Sequence, residues 1–438
     1  MKNIGKNLIR IRNVAKNELI YIGSDILIKA IAFVSMPFFL NVMTPEDFGE
    51  FNLYITYSSI FAIFFGLNVS NAIVRYYVDR AEGKKYLATA VWILVIGGAI
   101  SSSLIFGLHY VFGFFEIGSK ILAMALINTA FSGLVNIGLE VIRSEKNVKL
   151  YAASSVLNSV LSTALGLVLV YTIGENLAFW RLISVCGSGI IVGGLLTIRL
   201  MYRDGIKGNI DTAKYLLSYS IPLIPYTLST TILTQVNKLF LAKTSLYEVG
   251  IYSFASNLAI IVYIISMALN RSLQPNLFEA LRDKKDYRNH LKKNMVIFYF
   301  FYIGSLLGTD ILIWIFGNQS YKEAANIIPI LILGYGYCFL YSTFSGFLYY
   351  YKKNMVMSTF SISSALVVVG LNIVLIPKYS YIGAACATML SYMTLFLLAY
   401  WYVSKKLKIS VFGFKTIVIL QISLILPVII KIFIGVIK

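Results

Sequence analysis

Apolar residues run through this chain in long blocks, separated by short polar turns that hold most of its charge. Thirteen blocks can be marked out, at about 19–43, 48–72, 86–114, 118–142, 149–173, 177–200, 213–242, 248–270, 291–316, 324–350, 355–376, 381–403 and 411–437. Each is long enough to cross roughly 30 Å of hydrocarbon as a helix. The last is the most interrupted, by Pro427 and Lys431. Charges inside the blocks are rare enough to stand out. In "YIGSDILIKAIAF", Tyr21–Phe33, Asp25 and Lys29 are four residues apart and share one helix face.

The pattern predicts an all-α polytopic membrane protein. Composition agrees: of 438 residues, 58% are hydrophobic and 13% charged, against soluble averages of about 45–50% and about 25%. The basic start "MKNIGKNLIRIRNVAK" resembles a signal peptide, but the first apolar run is long and has no A-x-A-like site before "TPED", so it is expected to be retained.

A net charge of +19 would fit nucleic acid in a soluble protein. Here its distribution argues otherwise. Alternate turns carry 29 of the 38 lysines and arginines, including Arg75, Lys146, Arg203, Arg271, Lys284, Lys352 and Lys408. The opposite turns hold seven, among them Lys120, Arg181, Lys243 and Lys431, together with Glu46, Asp47 and Glu50. By the positive-inside rule the N-terminus is cytoplasmic and the thirteenth span ends outside. Only Lys29 and Lys238 remain, both inside spans. Cys186, Cys338, Cys386, His109 and His290 have neither disulfide nor metal-ligand spacing. No cofactor and no nucleic-acid partner is expected.

The turns after spans 1 and 7 read "MTPEDFGEFNLY" and "SLYEVGIYSFAS". Aligned on Gly49 and Gly250, they share acidic–apolar–Gly–x–aromatic at an offset of 201 residues and six spans. An even number of spans preserves orientation, which suggests a parallel repeat; ordinary turn chemistry is the alternative. The expected organisation is an N-terminal lobe 1–206 (spans 1–6), a C-terminal lobe 207–404 (spans 7–12), and a basic loop with an extra C-terminal span at 405–438. Two six-helix halves suggest a transporter rather than an enzyme. No HExxH, GxSxG or Walker loop is present.

Several stretches are similar to the bacterial polysaccharide repeat-unit flippases (Wzx-like, O-antigen and capsule type). These belong to the superfamily that also holds multidrug extruders (MATE-like) and lipid II flippases. They are "MTPEDFGEFNLY" into "GLNVSNAIVRYY", "YSIPLIPYTLSTTILTQVNKLFLAKTSLYEVGIYSFASNLA", "RSLQPNLFEAL" and "NIVLIPKYSYIGAACATMLSY". The family often has an Asp-Arg pair where this chain has Asn237-Lys238, so the role of that acid does not carry over. The resemblance implies two six-helix lobes around a central cavity. It also implies movement of an undecaprenyl-pyrophosphate-linked oligosaccharide across the bacterial cytoplasmic (inner) membrane by alternating access, with membrane lipid and a polysaccharide polymerase as partners. Family members usually have twelve or fourteen spans, and thirteen is a departure.

A pyrophosphate needs cations, which Lys and Arg supply as charge-assisted donors. Lys29 is the first candidate to attract the anionic head, with Asp25 balancing it or binding a coupling ion; a self-satisfied ion pair is the alternative. Lys238, with neighbours Gln235 and Asn237, and Arg181 sit near outer span ends, where snorkelling competes with substrate binding. Asp310 is similarly interfacial. Arg75 and Arg271 close spans 2 and 8 at matching places and are candidates to receive the pyrophosphate on entry. Pro37, Pro222 and Pro225 permit bends in the leading helices. Thr227, Ser229, Thr230, Thr231 and Thr234 offer hydroxyls to sugars or to helix packing. A flippase is the first reading. The rivals are a cation-coupled small-molecule exporter with Asp25 as its ion site, and a membrane-embedded glycosyltransferase or polymerase, against which the short outer loops count.

Overall fold

A computed structural model describes residues 2–79, 86–112, 118–409 and 411–437. Arg80, Lys84, Lys85 and Lys438, used in the charge pattern, lie outside them. Every regular element among the described residues is helical. In chain order these are α1 (Lys2–Leu40), α2 (Pro45–Phe65), α3 (Val69–Asp79), α4 (Tyr86–Phe112), α5 (Ser119–Ser144), α6 (Val148–Ile173), α7 (Leu177–Asp204), α8 (Ile210–Ser220) and α9 (Ile224–Ala242). Then follow α10 (Leu246–Arg282), α11 (Arg288–Leu307), α12 (Thr309–Phe316), α13 (Ile328–Tyr350), α14 (Asn354–Trp401) and α15 (Phe414–Ile437).

Ten helical stretches are long and apolar enough to cross a membrane, or twelve counting the bent pairs α2–α3 (44°) and α11–α12 (57°) as one span each. The longest is itself broken: Ser380, at φ 52 and ψ −134, interrupts α14. Ser364 on its first leg donates to the carbonyl of Ser391 on its second at 2.5 Å, although they are 27 residues apart. A straight helix would separate them by about 40 Å, so the legs fold back on each other. With those legs counted separately, each of the thirteen apolar blocks carries its own helix or bent pair. This is an all-α polytopic membrane protein.

Local chemistry fixes the helix ends. Thr44 and Asp47 form a reciprocal capping box at α2, with Thr44 N to Asp47 Oδ2 at 3.1 Å and Asp47 N to Thr44 Oγ1 at 3.2 Å. Ser245 caps α10 by accepting from Tyr247 N at 3.1 Å. Pro222 lies in a single 3-10 turn, Ile221–Leu223, and Pro225 opens α9 just after it, so the pair marks the joint between α8 and α9. At the basic ends, Lys146, Lys284, Lys352 and Lys408 take left-handed φ values of 54–59° just past their helices. Glycine usually fills that position, but a lysine there faces the negative end of the helix dipole.

The chain divides into two compact units. The first is Met1–Met43 with Tyr54–Ile224, and the second is Thr44–Leu53 with Pro225–Lys438. In the first, α5 and α7 approach closely on small residues. A Cβ at Gly193 would lie 3.1 Å from Val135 Cγ2, and one at Gly138 would lie 3.1 Å from Leu196 Cβ. Arg203 bridges α7 to α5 through Glu145 at 2.5 Å while also holding Asp204 at 2.7 Å.

In the second unit the first turns of α2 cross those of α10. A Cβ at Gly49 would collide with the carbonyl of Leu246, and one at Gly250 with the carbonyl of Pro45. Pro45 and Leu246, like Gly49 and Gly250, are 201 residues apart, so the repeat seen in sequence is a reciprocal backbone crossing. Tyr321 is fully buried beside it, against Phe48 and Phe254. Burial first, then the carboxylates of Asp47 and Glu46, push its phenol well above the ordinary value. The C-terminal span packs in this unit too. Tyr302 donates to Leu424 O at 2.8 Å, and Tyr299 to Leu420 O at 3.1 Å. Lys431, which interrupts the last apolar block, pairs with Asp310 of α12 at 2.8 Å.

Candidate functional site

The second unit holds a cavity of about 640 Å³ built by α9, α10, α13 and both legs of α14. From α10 it takes Tyr263, Met267, Asn270, Arg271, Gln274 and Phe278. Their spacing of three and four residues is one helical stripe. Tyr226, Thr230 and Thr234 of α9 form another part of the wall. Thr230 and Thr234 donate to carbonyls of their own helix, at 2.9 Å to Thr227 O and 3.1 Å to Thr230 O. Their oxygens keep lone pairs for a ligand. Asn270 is held in place by the Ser266 carbonyl at 2.9 Å and by the Ser342 hydroxyl.

Two cations and a band of tyrosines give the cavity its character. Arg271 and Lys352 line it, are exposed, and make no side-chain hydrogen bond or ion pair among the described residues. No described lining residue is a carboxylate. The turn at the end of α13 sets the place of Lys352: its N–H reaches Tyr349 O at 3.0 Å, and that of Lys353 reaches Leu348 O at 2.8 Å. Tyr263 and Tyr392 also line the cavity, and Tyr335 lies between them at ring-centroid distances of 5.6 and 5.9 Å. Free cations attract anions, and bidentate Arg suits phosphate. Aromatic faces with hydroxyl and amide groups are what a carbohydrate needs.

Of the candidates read from sequence, Arg271, Thr230 and Thr234 reach this cavity. Asn237 is fully buried. Its Nδ2 donates to Tyr252 OH and Thr388 Oγ1, both at 2.6 Å, while its Oδ1 accepts from Asn372 at 2.6 Å. That network ties α9 to α10 and both legs of α14, and it leaves Asn237 no free group for a ligand. Gln235 is half-buried on the same helix. Lys238 is 9% exposed and has neither a carboxylate nor a hydrogen-bond partner among the described residues, an uncommon state for an amine.

In the first unit Arg75 is paired with Asp79 at 2.8 Å, and Asp79 accepts from Tyr215 OH at 2.5 Å. Arg181 donates to Ser162 O and Ser184 Oγ at 2.8 Å each and stands 4.4 Å from the Phe39 ring centroid. It therefore ties α7 to α6 and α1. Asp25 and Lys29 are both exposed on α1 and do not form an ion pair. At 100° per residue they share a stripe with Ala32, apart from the exposed Ile26, Leu27, Val34 and Phe38.

Lys352, Asn270 and the tyrosines were not singled out in sequence. Lys352 reads there as one more basic-end lysine. The usable signal was the α10 stripe from Tyr263 to Phe278, polar where a lipid-facing stripe is apolar.

Residues 14–281 match the model of a family described as polysaccharide biosynthesis protein. The chain belongs to that family. It is 24% identical over 411 residues to a capsular polysaccharide biosynthesis protein, CapF, of Staphylococcus aureus, covering 90% of this chain and 100% of the relative. A protein of the Lsg locus of Haemophilus influenzae is 26% identical over 373 residues, covering 81% and 90%. In fold it is similar to the lipid II flippase MurJ in an inward closed conformation, with a TM-score of 0.74 at 16% identity over 96% of each chain. It is also similar to an inward-facing multidrug resistance MATE family transporter of the MOP superfamily, with a TM-score of 0.66 at 14% identity over 87% and 96%.

Proposed function

We propose that this protein is a flippase that carries an undecaprenyl-pyrophosphate-linked oligosaccharide from the cytoplasmic to the outer leaflet of a bacterial inner membrane. It acts by alternating access, with its N-terminus in the cytoplasm, and its product feeds O-antigen or capsule assembly by a polymerase. The observation that carries this reading is the cavity of the second unit, where Arg271 and Lys352 stand beside a tyrosine wall with no carboxylate among the described lining residues. Arg271 receives the pyrophosphate and the tyrosines and amides meet the first sugars. The polyprenyl tail stays in lipid. Lys29, on α1 with no ion-pair partner among the described residues, is a second point of attraction for the head group. Lys238 acts from within the second unit, with Gln235 and Asn237 shaping its surroundings, while Arg75 and Arg181 serve chiefly to hold the first unit. Family membership and the MurJ-like fold support the same reading.

One observation favours the rival, a cation-coupled exporter: Asp25 is exposed and has no ion-pair partner among the described residues, as an ion site requires. Deleting the gene separates the two. A flippase deletion accumulates lipid-linked repeat units on the cytoplasmic leaflet and loses surface polysaccharide, and the wild-type gene restores both. Unchanged polysaccharide together with increased sensitivity to cationic dyes would replace the flippase by the exporter.

A further inference from the structure

The second unit's cavity carries a restriction beyond affinity for phosphate. Its two charges are both positive, and its remaining polar groups are neutral hydroxyls and amides. Nothing among the described lining residues compensates a positive charge brought in by the ligand. From these observations we infer that the cavity discriminates sugars by charge: it admits a phosphosugar whose ring bears hydroxyl, acetamido or carboxylate groups and refuses one with a free ammonium. This rests on the reading that the cavity holds the phosphosugar head.

The physical reason is the direction of the field. Tyr263 and Tyr392, backed by Tyr335, offer ring faces and phenol groups, which accept any sugar of suitable shape. Arg271 and Lys352 repel a like charge placed among them. A unit charge about 8 Å from a cation, at an effective dielectric constant of about 40, meets a repulsion of about 1 kcal/mol, a factor of roughly five in affinity. A carboxylate at the same place gains by a similar factor. Stacking confers shape tolerance and the unbalanced cations confer charge selectivity.

The test uses the full-length protein in detergent and four probes on one hexose skeleton: the 1-phosphates of glucose, N-acetylglucosamine, glucuronic acid and glucosamine. Calorimetric titration should find the first three bound and glucosamine 1-phosphate at least fivefold weaker than its acetylated form. Raising the pH until the sugar amine is neutral should narrow that gap. Asn354→Asp places a carboxylate in the wall at the first turn of α14, where helix geometry tolerates an acid. It should reduce the ratio of the two affinities about threefold. Equal binding of all four probes, abolished together by Arg271→Ala, overturns the inference and leaves the phosphosugar site standing. No binding of any probe, or binding indifferent to Arg271→Ala, overturns the site and the inference with it.

Discussion

Arg75 stands on α3 in one unit and Arg271 within α10 in the other, where the helix continues to Arg282, and the chain holds them differently. Four residues after Arg75 comes Asp79, which pairs with it at 2.8 Å and takes a second hydrogen bond from Tyr215. Four residues after Arg271 comes Pro275, and that guanidinium is left to the cavity. The same contrast separates Arg181, bound to Ser162 and Ser184, from Lys238, buried with no partner among the described residues. Backbone features repeat: Gly49 and Gly250 meet the carbonyls of Leu246 and Pro45 in reciprocal fashion. Charge does not repeat. The crossing is reciprocal, whereas paired side chains tie up cations in the first unit and cations stand available in the second.

The largest effects are expected where the repeat is strict. Gly49→Val and Gly250→Val each force side-chain atoms into a backbone carbonyl, and each should cost about 1–3 kcal/mol, read as a similar fall in melting temperature in detergent. Gly107→Ala, with nothing within 4 Å of its Cβ, is the control and should melt like wild type. A large effect at one glycine alone would break the symmetry of the crossing.

Next comes the interior network. Asn237→Ala leaves Tyr252, Thr388 and Asn372 short of a partner and should destabilise by about 1–3 kcal/mol. Gln235→Ala, on the same helix but half-buried, should cost less. An Asn237 variant that melts normally yet fails to move substrate would return this residue to the binding machinery.

The charge comparison is sharpened by function more than by stability. Arg271→Ala should lower complementation of the deletion strain tenfold or more at normal expression, and Arg75→Ala should lower it much less. Asp79→Asn, which frees Arg75 at an exposed position, should leave melting unchanged, as surface pairs usually do. Equal losses at Arg75 and Arg271 would contradict the division of roles between the units.

Much of this was legible without coordinates. Each apolar block carries a helix because hydropathy over about 20 residues is a local quantity, and in lipid the backbone must satisfy its own hydrogen bonds. The Gly49/Gly250 turns are visible as a repeat, and their capping residues Thr44 and Ser245 are also 201 apart. Spacing placed Asp25 and Lys29 on one face, as found. It did not decide that they stay apart, because i,i+4 proximity permits an ion pair without requiring one.

Sequence alone determined that this chain spans a membrane as helices and where its basic ends lie. Each follows from residues within a turn or two of one another. Only the tertiary structure decided which cations stay free and what surrounds them. Tyr226, Asn270 and Arg271 come from the consecutive helices α9 and α10, and Lys352 and Tyr392 from the turn after α13 and from α14, far along the chain; their convergence is set by how the two helix pairs pack, which no local pattern encodes.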